Sequence, residues 1–148
     1  MNIYFAGSIR GGRELQPMYL KVINHLQENG HNVLTEHVAQ KTVMESESSL
    51  SSKEIYERDM EWLEECDVLI ADVTVPSLGV GFEVASAVDR QKPVLCIHQM
   101  GVALSAMISG NTSKNIQVRE YSDTQSMIEI IDQFIGVHSG RKARNSFG

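Results

Sequence analysis

The sequence predicts a doubly wound α/β domain, and three observations carry that expectation. Five short apolar runs alternate with helical stretches, an apolar run ends on a glycine-containing turn at two places, and no internal repeat is evident. Apolar runs separated by helices form a parallel sheet covered on both faces. The expected strand order is 2-1-3-4-5, which puts a ligand site outside the carboxyl ends of strands one and three, where the winding reverses. A single domain spans 1–135, followed by a Gly/Ser/basic tail over 136–148 that is expected to be disordered.

Each element has its own justification. Ile3-Tyr4-Phe5-Ala6 stops at Gly7, as a buried strand does on meeting a turn. Ser8 to Arg13 forms a loop with glycines, a hydroxyl and two guanidinium groups. Pro17 suits the first turn of a helix in which Leu20, Ile23 and Leu26 recur on one face, and Gly30 ends it. Val33-Leu34-Thr35 is a second, shorter strand, followed by Glu36-His37-Val38. Periodicity fails from Ala39 to Ser52, where serines crowd, so a mobile flap or loop is expected there. Ser51 and Glu54 fit a capping box opening a helix to Glu65. Asp67 to Ala71 is the third strand, Pro76 to Glu83 the turn after it, and Phe82 to Arg90 a helix. Pro93 to Ile97 is the fourth strand, Leu104 to Ile108 a short helix and Ile116 to Val118 the fifth strand. Asp123 caps a last amphipathic helix carrying Met127, Ile131, Phe134 and Ile135. Together these make a flavodoxin- or Rossmann-like sheet.

Bulk properties narrow the function. The 148 residues, 42% hydrophobic and 22% charged, suit one domain with a real core. Nineteen acidic against 13 basic side chains, net −6, argue against binding a nucleic-acid polymer, which needs a basic face. Cys66 and Cys96 lack metal-ligand spacing and read as buried thiols of a reducing compartment. Neither a signal-peptide core nor a membrane span is recognisable, so an intracellular, cytoplasmic protein is expected. A nuclear role for the basic tail at Arg141, Lys142 and Arg144 is the alternative to a plain solvated end.

The candidate chemistry gathers at the sheet's switch point. There Gly7, Ser8, Ile9 and Arg10 come next to Ser77, Gly79 and Glu83. A turn opening a helix offers free N–H groups and a dipole to an anion, and Arg10 adds a phosphate fork. The loop is neither a dinucleotide fingerprint nor a P-loop, which disfavours NAD and nucleoside triphosphates. Glu83, expected in the first helical turn, is either a favourable helix-start acid or a nucleophile held ionised. Asp59 lies amid Ile55, Trp62, Leu63 and Cys66 on an apolar arc. Such a carboxyl is either bonded to a loop backbone or protonated by desolvation and able to act as an acid. Paired, an ionised Glu83 and a neutral Asp59 have the division of labour of glycosyl-bond cleavage. Tyr4 sits where its hydroxyl can reach the site, His37 has no metal-spaced partner and is structural or base-facing, and Asp72 either caps a turn, the favoured reading, or orients Glu83. Ser105 lies in a stretch too apolar for an exposed segment, so it is packed inside or forms a subunit interface.

Several separate motifs, in order, carry a resemblance. Gly7 to Arg13, Leu34 to Val38, Asp59 with Glu61-Trp62-Leu63, Pro76 to Glu83 and Leu104 to Ile108 resemble the 2′-deoxynucleoside 5′-phosphate N-hydrolases of the nucleoside deoxyribosyltransferase superfamily. The similarity runs from Tyr4 to about Phe134. It implies a homodimer without metal or organic cofactor that hydrolyses a deoxynucleoside monophosphate to free base and 2-deoxyribose 5-phosphate through a glycosyl-enzyme. Glu83 would be the nucleophile, Asp59 the general acid and Tyr4 the residue positioning Glu83. Gly7, Ser8, Ile9, Arg10, Ser77 and Gly79 would surround the nucleotide, Ser105 would reach the phosphate of the neighbouring subunit, and Met107 would line that edge. The chain departs from the pattern at Ser109, where a basic residue is expected, and over Ala39 to Ser52; both bear on base preference and affinity. A deoxyribosyltransferase and a non-catalytic nucleotide-binding module are the alternatives.

Overall fold

In the computed structural model, which describes residues 1–9, 14–40 and 43–145, five strands pair in parallel. They are β1 Asn2–Ala6, β2 Asn32–Val33, β3 Val68–Asp72, β4 Val94–Gln99 and β5 Ile116–Tyr121. Their order is β2-β1-β3-β4-β5, as the sequence predicts. The helices are α1 Gln16–Glu28, α2 Val43–Ser48, α3 Ser52–Glu65, α4 Leu78–Asp89, α5 Ala106–Ser109 and α6 Thr124–Asn145, with a 3₁₀ turn at Glu36–Ala39.

Alternation along the strands divides the core into two. Ile3 and Phe5 of β1 join Ile70, Leu95 and Ile97 under α1 and α6, which supply Tyr19, Val22, Ile23, Leu26, Met127, Ile131 and Phe134. Tyr4 and Ala6 point the other way, with Leu69, Ala71 and Cys96, toward Leu63 of α3 and Val80, Val84 and Ala87 of α4. This alternation puts Tyr4 on the face covered by α3 and α4, the face of the candidate carboxylates. Both thiols are buried, which pushes Cys66 up to about 11 and Cys96 to about 12, beyond nucleophilic use at neutral pH.

Several boundaries differ from expectation, each for a physical reason. The buried face of α1 runs through Tyr19, Val22, Ile23 and Leu26, so Leu20, about 100° away, stays 42% exposed. The stretch expected as a flap contains α2, whose Glu47 is buried, and the predicted capping box of Ser51 and Glu54 opens α3 after it. The glycines after Pro76 lie within a helix and not a turn: α4 already starts at Leu78 with Ser77 as its cap. Helical backbone also continues past Gly136 to Asn145, because extending a nucleated helix costs far less than starting one.

Candidate active site

Glu83 is the sixth residue of α4 and belongs to its second turn, so the helix dipole supports its charge less than a first-turn position would. Its main partner comes from the sheet: the Tyr4 hydroxyl donates to Glu83 Oε1 at 2.6 Å. Burial pushes the Glu83 carboxyl up to about 7; the Tyr4 bond opposes this, and the nearby charge of Asp59 adds to it. The Tyr4 phenol is driven far above its ordinary range by burial and then by Glu83 and Asp59, so it remains a donor.

Asp59 faces the same space from α3, its side chain 19% exposed. Burial raises its pKa, and the adjacent Arg58 works against that rise. The contrast expected of the two carboxyls, one neutral and one ionised, is therefore not built into the free chain. Burial raises both, and Glu83 is the one that reaches about 7. Near neutral pH the Glu83 carboxyl is therefore poised between its neutral and ionised forms.

Arg58 and Glu47 are the residues that sequence reasoning missed. Arg58 Nε and Nη2 lie 2.9 and 2.8 Å from Asp59 Oδ1, and Nη2 is also 2.9 Å from Glu47 Oε1. The guanidinium lies over the Trp62 ring, 4.8 Å from its centroid. His37 Nε2 is 3.2 Å from the same Glu47 oxygen, with its ring 5.5 Å from Trp62. Burial and Arg58 lower the His37 pKa, so the imidazole is biased toward its neutral form. These side chains, with Leu34 and Leu50, line a pocket of about 380 Å³ beside Asp59. Among the described residues no three His, Cys, Asp or Glu side chains converge as metal ligands.

The nucleotide-holding candidates fall into three groups. Ser77 caps α4 by accepting from Val80 N–H at 3.3 Å, and helix geometry leaves the N–H groups of Leu78 and Gly79 without intrahelical acceptors. A Cβ at Gly79 would meet only Ser77 Oγ at 3.8 Å, and one at Gly81 nothing within 4 Å, so the free chain does not itself demand glycine there. Gly7 differs: its Cβ would lie 2.6 Å from the buried Tyr19 ring. Ser8 is 2% exposed and Ile9 packs against the core, whereas Arg10 lies outside the described residues. Ser105 caps the short α5 through Met107 N–H at 3.3 Å and is exposed, as is Met107 at 80%, so the expectation of buried packing does not hold. Asp72 is a cap, as expected: it accepts from Thr74 N–H at 2.8 Å and from the Tyr121 hydroxyl at 2.7 Å.

Known proteins resemble this chain in sequence and in fold. The family model for nucleoside 2-deoxyribosyltransferase matches residues 3–126. A Methanosarcina mazei protein named as a candidate 2′-deoxynucleoside 5′-phosphate N-hydrolase is 46% identical, over 90% of this chain and 83% of its own. The 5-hydroxymethyl-dUMP N-hydrolase of Danio rerio is 45% identical over 84% of this chain and 90% of its own; that of Rattus norvegicus is 39% identical over 98% and 91%. In fold, the chain superposes on the CMP N-glycosidase of Clostridium botulinum with a TM-score of 0.72, covering 90% of this chain and 99% of that one at 19% identity. With the Tyr4–Glu83 bond, Asp59 beside it and a match over most of its length, the chain belongs to the nucleoside 2-deoxyribosyltransferase family.

Proposed function

We propose that this chain hydrolyses the N-glycosidic bond of 2′-deoxynucleoside 5′-monophosphates, releasing the free base and 2-deoxyribose 5-phosphate. The observation that carries this is the 2.6 Å bond from Tyr4 to Glu83 Oε1, beside a second carboxyl on α3. Relatives at 39–46% identity that bear N-hydrolase names support it.

Tyr4 occupies Glu83 Oε1, which leaves Oε2 to attack C1′. As the C1′–N bond breaks, its electron pair goes to the base nitrogen, which takes the proton of Asp59. A glycosyl ester on Glu83 results. Water then adds at C1′ while Asp59 takes a proton from it, which frees Glu83 and restores the acid. A Glu83 carboxyl near 7 is ionised in about half the molecules at neutral pH, and the positive charge growing at C1′ favours that form. The 5′-phosphate sits on Ser77, the free N–H groups of Leu78 and Gly79, and the Gly7-Ser8-Ile9-Arg10 loop. Binding energy from that end orients C1′ over Glu83. The base enters the pocket lined by His37 and Trp62.

A homodimer completes the site. Leu78 is 97% exposed and Phe82 and Tyr56 more than half exposed, with their two rings 6.2 Å apart, and Met107 is 80% exposed; such exposed apolar side chains suit a second copy. Ser105 of that copy reaches the phosphate. No described helix is long and apolar enough to cross a membrane, and the buried thiols suit the reducing cytoplasm or nucleus.

Base release from deoxynucleoside monophosphates, with ribonucleotides and unphosphorylated deoxynucleosides as controls, tests the proposal. Release confined to the deoxynucleotides supports it; equal release from the deoxynucleosides contradicts the phosphate site. The family description favours a second reading, transfer of the deoxyribosyl group to another base. A labelled free base appearing in nucleotide would select that reading.

A further inference from the structure

We propose that Arg58, held by Glu47 of α2, is a positioning residue of this site: it fixes Asp59 through Oδ1 and leaves Oδ2 as the oxygen that delivers the proton to the departing base. The proposal deepens the hydrolase reading and rests on it for the identity of the acid. Both guanidinium contacts to Asp59, at 2.9 and 2.8 Å, fall on Oδ1, and among the described residues Oδ2 has no partner. A carboxyl whose one oxygen accepts the Nε–H and lies against the guanidinium charge carries its proton on the other, so the clamp decides where the acidic hydrogen points.

The clamp is itself held. Glu47, 5% exposed, accepts from Arg58 Nη2 at 2.9 Å and takes His37 on the same oxygen, while the Trp62 ring lies under the guanidinium. Burial keeps the Asp59 pKa raised in spite of Arg58, and the charge of Glu47 adds to that rise. The pair therefore gives Asp59 orientation without forcing it to lose its proton. Because Glu47 rides on α2, which borders the base pocket, the acid is tied to the segment that covers the base.

The charged and titrating groups around Asp59 are Arg58, Glu47, Glu83 and Tyr4, with His37 on the same Glu47 oxygen. Arg58 lowers the pKa of Asp59 and Glu47 raises it, so the two halves of one ion pair must act in opposite directions. The test is the pH dependence of base release in wild type, Arg58→Gln and Glu47→Gln, together with the pH midpoint of the Asp59 carboxyl read from its ¹³C shift in each protein. Arg58→Gln should move the midpoint and the alkaline limb of the rate to higher pH, and Glu47→Gln should move both to lower pH. A misdirected acid forfeits part of the about 10²–10⁴-fold that a positioned acid supplies, so kcat in Arg58→Gln should also fall about tenfold at its optimum.

An ion pair that only biases the proton would move the midpoints as well but leave kcat of Arg58→Gln at its own optimum near that of wild type, and that result overturns the positioning role. Displacement in the same direction, or none, overturns the proposal. The ¹³C midpoints need no turnover, so they judge Arg58 even if wild type releases no base, an outcome that would instead overturn the hydrolase reading.

Discussion

Glu83→Gln should make the protein more stable at neutral and alkaline pH, and the size of the gain follows from the Glu83 carboxyl. In the fold it titrates at about 7 against 4.5 for an ordinary glutamate, mainly because it is buried. Below 4.5 the native and unfolded chains both carry the proton and the group costs nothing. Between the two values the native state keeps a proton that the unfolded chain has lost, so stability falls as pH rises, and above about 7 the penalty is complete. At about 1.36 kcal/mol per pH unit this is at most about 3 kcal/mol, and residual exposure brings the working figure to about 2 kcal/mol. Glutamine keeps an acceptor for Tyr4 and carries no charge, so it removes the penalty and little else. Urea unfolding of both proteins at about pH 4, 6 and 8 should give equal stabilities at the first and a variant about 2 kcal/mol more stable at the last. A difference that stays flat with pH, or a wild type that is the more stable at alkaline pH, refutes the buried, proton-holding Glu83.

Other perturbations separate the remaining roles. Gly79→Ala fits the free chain and improves helix propensity, so it should stabilise the fold by up to about 0.5 kcal/mol while raising KM several-fold, because its methyl group intrudes on the phosphate. Asp59→Asn should cost about 10²–10⁴-fold with bases that leave poorly and much less with good leaving groups; an equal loss for all bases contradicts the acid role. Met107→Asp, a charge on an 80% exposed apolar side chain, should weaken self-association in sedimentation and lower activity with it. A fully active monomer would show that Ser105 of a second copy is not needed.

The fold was legible because alternation and burial speak locally. Ile3 to Ala6, Val68 to Ala71 and Val94 to Ile97 are apolar on both faces, and the winding rule then orders them correctly. The alternation that buries Phe5 on one face aims Tyr4 at Glu83 on the other. What stayed hidden depends on partners distant in sequence. Glu47 sits in a serine-rich stretch without periodicity and looks solvated until Arg58 and His37 reach it. Arg58, next to Asp59, reads as an ordinary surface charge of a helix. The rise of the Asp59 pKa by desolvation was legible from its apolar arc, whereas that of Glu83 to about 7 was not, because burial there outweighs what a helix start supplies.

The most direct test of the account is base release from 2′-deoxynucleoside 5′-monophosphates by wild type and Glu83→Ala, run side by side with mass spectrometry of the quenched wild-type protein. The account predicts free base from wild type, a 2-deoxyribose 5-phosphate adduct on the peptide carrying Glu83, and loss of both in the variant. Wild-type-like turnover by Glu83→Ala, or an adduct on another residue, would contradict it.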